Sequence, residues 1–151
     1  MVRSMKLSTR GRYGTMALLD LALHQGEEPI SLKTIAKRQQ ISLSYLEHLI
    51  THLITGGIVR STKGPKGGIS LAKNPGDIRL SQVINLLEGS MAPVECVDNP
   101  QVCSRSDSCV TRDIWSKMKK ATNGVLESIT LHDLVERQKR KEKPEAVTFD
   151  I

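Results

Sequence analysis

The sequence predicts a mainly α-helical chain carrying one small β-hairpin and a long late helix. Three observations lead there. Two short amphipathic helical stretches lie within residues 31–55, broken at Gln40-Ile41. Directly after them the residue type changes to strand formers, Ile58-Val59-Arg60-Ser61-Thr62 and Ile69-Ser70-Leu71-Ala72, around the turn Lys63-Gly64-Pro65-Lys66-Gly67-Gly68. Further on, Ile114, Trp115, Met118, Ala121, Val125, Leu126 and Ile129 trace a narrow apolar seam along one helix. Helix, turn, helix, hairpin is the order of a winged helix-turn-helix, and the seam suits a helix that dimerises.

The elements follow in order. Residues 8–25 are expected to form a helix, capped by Ser8 or Thr9 and ended at Gly26. Ser31 is placed to cap the next helix. Ser42 caps the one after, whose Leu43, Leu46, Leu49, Ile50, Leu53 and Ile54 recur at spacings of three and four. Gly56-Gly57 stops it. After the hairpin, Ser81 is the expected cap of a helix carrying Val83, Ile84, Leu86 and Leu87. Residues 90–109 read as a loop without structure of its own, a length usually reserved for function. The seam helix spans 110–129, and Thr130 caps a last helix that gives way to a frayed charged tail at residues 139–143. This divides the chain into a DNA-binding unit at 1–89, the loop at 90–109, a dimerisation helix at 110–129 and a C-terminal helix and tail at 130–151.

Charge narrows the class. Residues 1–90 hold 12 Lys/Arg against 6 Asp/Glu, whereas residues 91–151 hold 10 of each. The entire +6 excess therefore sits with the helix-turn-helix and hairpin, which points to a polyanionic partner. No apolar run is long enough for a bilayer span, and the basic N-terminus lacks the apolar stretch of a secretory signal. A cytoplasmic protein without membrane contact is expected. No phosphate-binding loop, nucleophile triad or carboxylate pair stands out, so an enzyme is not expected.

The second helix of such a pair enters the major groove with its N-terminal residues at the base edges. Here those residues are Ser42, Ser44, Tyr45, Glu47 and His48, on the face opposite the leucines. Glu47 can accept from cytosine N4, and the serines serve bases or phosphates. Ser42 has a second role open to it as helix cap, and Ser44 with Glu47 matches a capping box. Lys63, Gly64 and Pro65 belong to the basic hairpin tip, where glycine lets the backbone approach a phosphate. Arg10 and Arg12 are expected phosphate contacts at the start of the first helix, whose free N–H groups also favour an anion.

Lys6-Leu7-Ser8-Thr9-Arg10-Gly11-Arg12-Tyr13, Ile41-Ser42-Leu43-Ser44-Tyr45-Leu46-Glu47 and Gly64-Pro65-Lys66-Gly67-Gly68 together resemble the bacterial winged-helix regulators that include IscR, NsrR and CymR. The similarity runs from residue 5 to about residue 134. It implies a homodimer on double-stranded DNA, with the long helix against its partner and two wings spanning a pseudo-palindrome.

Cys96, Cys103 and Cys109 all fall in the loop, and an odd count argues against a disulfide framework. They resemble the cysteine loop that holds a 2Fe-2S cluster in IscR and an iron–sulfur cluster in NsrR. Cys109-Val110-Thr111-Arg112-Asp113-Ile114-Trp115 is similar to the IscR segment after its last cysteine. The histidine ligand of IscR is, however, replaced by Arg112, and arginine stays protonated and cannot ligate iron. Arg12 stands where NsrR has an acidic ligand. Asp107, Asp113, an exogenous thiol or water, or a group from a second subunit are the options for the fourth position. The framework around Glu88-Gly89-Ser90-Met91-Ala92-Pro93-Val94-Glu95 and the ending Thr148-Phe149-Asp150-Ile151 resemble CymR, which has no cluster loop and works with a cysteine-synthase partner. The leading expectation is an iron–sulfur-sensing regulator of the 2Fe-2S type. A zinc site, a thiol redox switch and a CymR-like regulator of sulfur metabolism acting through a protein partner stay open.

Overall fold

The computed structural model describes residues 6–143. Within them the chain is mainly helical with a single two-stranded antiparallel hairpin. The sequence-end resemblance at residues 148–151 lies outside the described residues.

Helix α1 (Thr9–Leu23) buries Ala17, Leu18 and Leu21, and α2 (Leu32–Gln39) and α3 (Leu43–Thr55) pack beside it. Ser31 starts α2 as expected, its Oγ accepting from the Thr34 N–H at 3.2 Å. Between α2 and α3, Gln40 adopts a left-handed conformation at φ 56°, and its N–H bonds back to the carbonyls of Ala36 and Lys37. That residue ends α2 while reversing the chain into α3, which is the turn of the helix-turn-helix. On α3, Leu46, Leu49, Ile50 and Leu53 are all buried.

Strands β1 (Val59–Thr62) and β2 (Gly68–Leu71) pair with Val59 opposite Leu71 and Thr62 opposite Gly68. Ile30 adds a bridge to Ile69, with both of their N–H···O bonds formed at 2.9 and 2.8 Å. The backbone of Ile30 crosses Gly68 so closely that a Cβ there would overlap the Ile30 carbonyl. Glycine at this position lets the hairpin root dock on the segment before α2.

Helix α4 (Leu80–Glu88) begins one residue before the expected cap. Ser81 lies inside its first turn, and Arg79 precedes it, with its N–H on the Gln82 Oε1 at 3.3 Å. The start of α4 is fixed instead by the chain returning from α6: Leu80 N–H meets the Ile129 carbonyl at 2.9 Å and Leu131 N–H the Ile78 carbonyl at 2.8 Å.

Residues 90–109 are less irregular than their composition suggests. They contain a short helix α5 (Glu95–Asp98) and two 3-10 turns, Pro100–Val102 and Ser106–Ser108. Helix α6 (Val110–Ser128) follows, then α7 (Leu131–Glu142), capped by Thr130 as expected. The basic stretch expected to fray continues α7 to Glu142, since Lys139, Arg140 and Lys141 suit the negative end of a helix. Leu131 and Val135 bring α7 onto α1. Helix α6 is different: none of its 19 residues is buried, although one flank lies on α4.

Candidate DNA interface and cysteine segment

Ser42, Ser44, Glu47 and His48 are exposed on α3, on the side away from its buried leucines. Ser42 does cap the helix, its Oγ accepting from the Tyr45 N–H at 3.1 Å. The His48 ring meets His52 edge to face, 5.1 Å between centroids.

Tyr45 is placed differently from its neighbours. It is half-buried and packs edge to face on Tyr13 of α1 at 6.2 Å, and its hydroxyl is shielded from solvent with no hydrogen-bond partner among the described residues. The Arg12 guanidinium lies 5.8 Å from the Tyr13 ring centre. The first turns of α1 and α3 are thus neighbours, with Arg12, Tyr13 and Tyr45 in series.

Arg10 and Arg12 are exposed on the first turn of α1. Two of the N–H groups at that end are already occupied. The Glu88 carboxylate, at the end of α4, accepts from Ser8 N–H at 2.8 Å, from Gly11 N–H at 3.0 Å and from the Ser8 hydroxyl. Ser8 makes no side-chain cap of its own. A carboxylate 77 residues away along the chain does that work, which no local pattern of residues could reveal. Lys63, Gly64, Pro65 and Lys66 are exposed at the hairpin tip, and Gly64 turns there with φ 110°.

The three cysteines are free thiols, Cys103 exposed and Cys96 and Cys109 half-buried. Cys96 sits in α5 and Cys109 immediately precedes α6. Arg112 Nε donates to the Cys96 carbonyl at 3.0 Å, so the residue that replaces a histidine ligand ties α5 to α6. Ser106, buried, donates to the Pro100 carbonyl at 2.7 Å and the Cys103 carbonyl at 2.9 Å, holding the two 3-10 turns together. The Cys109 thiol is held below its ordinary pKa, first by the Thr111 hydroxyl at 3.1 Å and then by the Arg112 backbone N–H. Such lowering favours the thiolate, the form that metals and oxidants both require.

By donor chemistry these residues fit an iron–sulfur cluster, since three thiols on one accessible segment are its usual ligands. Their arrangement is another matter. Among the described residues, no three His, Cys, Asp or Glu side chains converge as a metal-holding group. Cys96 lies in α5, Cys103 directly follows the first 3-10 turn and Cys109 directly precedes α6.

A family profile described as "Rrf2: Iron-dependent Transcriptional regulator" matches residues 7–137. The chain belongs to the Rrf2 family of transcriptional regulators. It is 47% identical over 131 residues to protein rrf2 of Nitratidesulfovibrio vulgaris, covering 87% of each chain. Among solved structures it is similar to T. potens IscR, with a TM-score of 0.77 and 41% identity over 93% of both chains. It is also similar to CymR, the global cysteine regulator of B. subtilis, with a TM-score of 0.73, 37% identity, 87% of this chain and 97% of that one. Membership of the Rrf2 family makes the chain a DNA-binding winged-helix regulator and not an enzyme. No helix among the described residues is long and apolar enough to cross a membrane.

Proposed function

We propose that this Rrf2 regulator is a homodimer that reads a pseudo-palindromic operator and adjusts its affinity through an iron–sulfur cluster, of the 2Fe-2S type, held by Cys96, Cys103 and Cys109. The observation that carries the reading is the placement of three free thiols on one segment between α4 and α6. On one side lies the helix-turn-helix, on the other an unburied 19-residue helix. Such a cluster supplies a redox centre that oxygen and nitric oxide can attack.

Ser42, Ser44, Glu47 and His48 supply the groups that meet base edges and flanking phosphates, and Tyr45 fixes the entry of α3 by packing on Tyr13. Arg10, Arg12, Lys63, Gly64 and Pro65 meet the phosphate backbone. The exposed Val110, Ile114 and Val125 of α6 are covered by the same helix of a second copy. A bound cluster would draw Cys96, Cys103 and Cys109 to one centre and so order the segment between α4 and α6. A difference between the loaded and empty forms of that segment would link cluster status to DNA affinity. With Arg112 engaged on the Cys96 carbonyl, the fourth ligand comes from elsewhere, and the cluster is correspondingly labile.

A second reading has its own support. Cys109 combines partial exposure with a thiol hydrogen-bonded to Thr111, a setting that suits direct oxidation. The likeness to CymR favours a regulator of sulfur metabolism that works by such a switch or through a cysteine-synthase-like partner. The test is fluorescence anisotropy on a duplex selected by the wild type from a random-sequence pool. Anaerobically purified protein is compared with the same protein treated with a chelator, and with Cys103→Ala. The cluster reading expects both treatments to shift affinity in the same direction. Affinity that follows only oxidation and reduction of a metal-free protein supports the switch instead.

A further inference from the structure

The N-terminal turn of α1 is held by a single carboxylate from another helix. Glu88 takes the Ser8 and Gly11 N–H groups and the Ser8 hydroxyl on one oxygen. The approach is close enough that a Cβ on Gly11 would sit 2.5 Å from that oxygen. Three residues on, Gly14 admits Leu87 of α4 in the same manner, a Cβ there overlapping the Leu87 side chain. Two small residues at neighbouring positions therefore let α4 lie against α1, and the carboxylate closes the contact at its end. Glu88 is the last residue of α4, and the next, Gly89, turns with φ 79° into the cysteine segment.

The first turn of a helix is its least stable part, because its N–H groups lack partners within the helix. In α1 that turn carries Arg10 and Arg12, both exposed, and Arg12 is further set by the Tyr13 ring. Without Glu88 the Ser8 and Gly11 N–H groups lose their acceptor, and Ser8, whose hydroxyl is turned to Glu88, makes no side-chain cap of its own. The geometry points to Glu88 as a positioning residue for DNA binding: by capping α1 in place of a local side chain, it holds the Arg10 and Arg12 turn in the helical form that meets the phosphate backbone. Two N–H groups at the α1 terminus, those of Ser8 and Gly11, are accordingly taken from within the chain, and the guanidinium groups of Arg10 and Arg12 are left to meet the DNA phosphates. This rests on the proposed roles of Arg10 and Arg12.

The test is the salt dependence of binding to the selected duplex, measured on the full chain, with hydrogen exchange of the peptide spanning residues 6–13 alongside. Each lost phosphate contact lowers the slope of log affinity against log salt by about 0.9. Glu88→Ala is expected to expose the first turn to exchange and to lower the slope by about 2 per protomer. Glu88→Gln, which keeps an acceptor oxygen, is expected to recover part of both. Gly11→Ala pushes the carboxylate away while leaving its charge in place, and is expected to act as Glu88→Ala does. The Gly11→Ala/Glu88→Ala double variant should add nothing further. If Glu88→Ala does not fold, the Gly11→Ala result decides. A folded variant with fast exchange at residues 6–13 but a wild-type salt slope would overturn the positioning role. A wild type with no salt dependence would instead overturn the assignment of Arg10 and Arg12 as phosphate contacts.

Discussion

Arg38 grips Asp20 with both ends of its guanidinium, Nη2 at 2.6 Å from Oδ1 and Nε at 3.0 Å from Oδ2. The pair fastens α2 to α1, and Gln39 adds a third donor to the same carboxylate at 2.7 Å. The two partners are unequal, since the side chain of Asp20 is 2% exposed and that of Arg38 34%. Arg38→Met strands a buried carboxylate and should cost about 3 kcal/mol. Asp20→Asn lets Arg38 turn to water and should cost less, about 1–2 kcal/mol. Urea denaturation of the two variants checks the order, and a larger loss from Asp20→Asn would contradict it.

Tyr45 offers a test of the opposite sign. Its hydroxyl is buried without a partner while its ring packs on Tyr13. Tyr45→Phe keeps the ring contact and removes a desolvated polar group, so stability should rise by about 1 kcal/mol. Thermal denaturation reads this directly. A loss of stability would mean that the hydroxyl has a partner that the single chain lacks.

The cap of α7 should show itself in acid. The Thr130 N–H donates to the Asp133 carboxylate at 2.9 Å, and with the Thr130 hydroxyl it holds that carboxyl below its ordinary pKa of 3.8. A folded-state pKa below the unfolded one adds stability above 3.8, and this is lost as pH falls through the lowered value. The melting temperature of the wild type should therefore exceed that of Asp133→Asn at neutral pH and converge with it as pH falls below 3.8 and through the lowered value. A gap that widens in acid would contradict this sign.

The helix-turn-helix, the hairpin and α6 were legible because each announces itself locally. Leucines repeat on α3, strand formers flank a glycine-rich turn, and Ser31, Ser42 and Thr130 sit where caps belong. What escaped was set by contacts distant in sequence. Ser81 looked like a cap, but the start of α4 is fixed by the Ile129 carbonyl. Helical spacing puts Tyr45 near the solvent side, and its packing on Tyr13 of α1 left no trace in the local pattern. The α1 cap came from Glu88, and Arg112, legible only as a missing ligand, ties down Cys96. The short helical turns within residues 90–109 were equally invisible, because they leave little trace in composition.

Helix α6 should bind its own copy. Val125 is 59% exposed on a helix in which nothing is buried. An aspartate there would place a charge in the proposed apolar contact. Sedimentation velocity should find the wild type dimeric and Val125→Asp monomeric with its helical content intact. A wild type that sediments as a monomer would remove the basis for a two-fold operator.

The iron–sulfur cluster proposed for the cysteine segment is tested by iron and acid-labile sulfide per chain after anaerobic purification. A 2Fe-2S cluster gives about two of each, with a visible spectrum that disappears in the single Cys96→Ala, Cys103→Ala and Cys109→Ala variants. Iron and sulfide at background level in the anaerobic wild type, or a spectrum that survives all three substitutions, would contradict it.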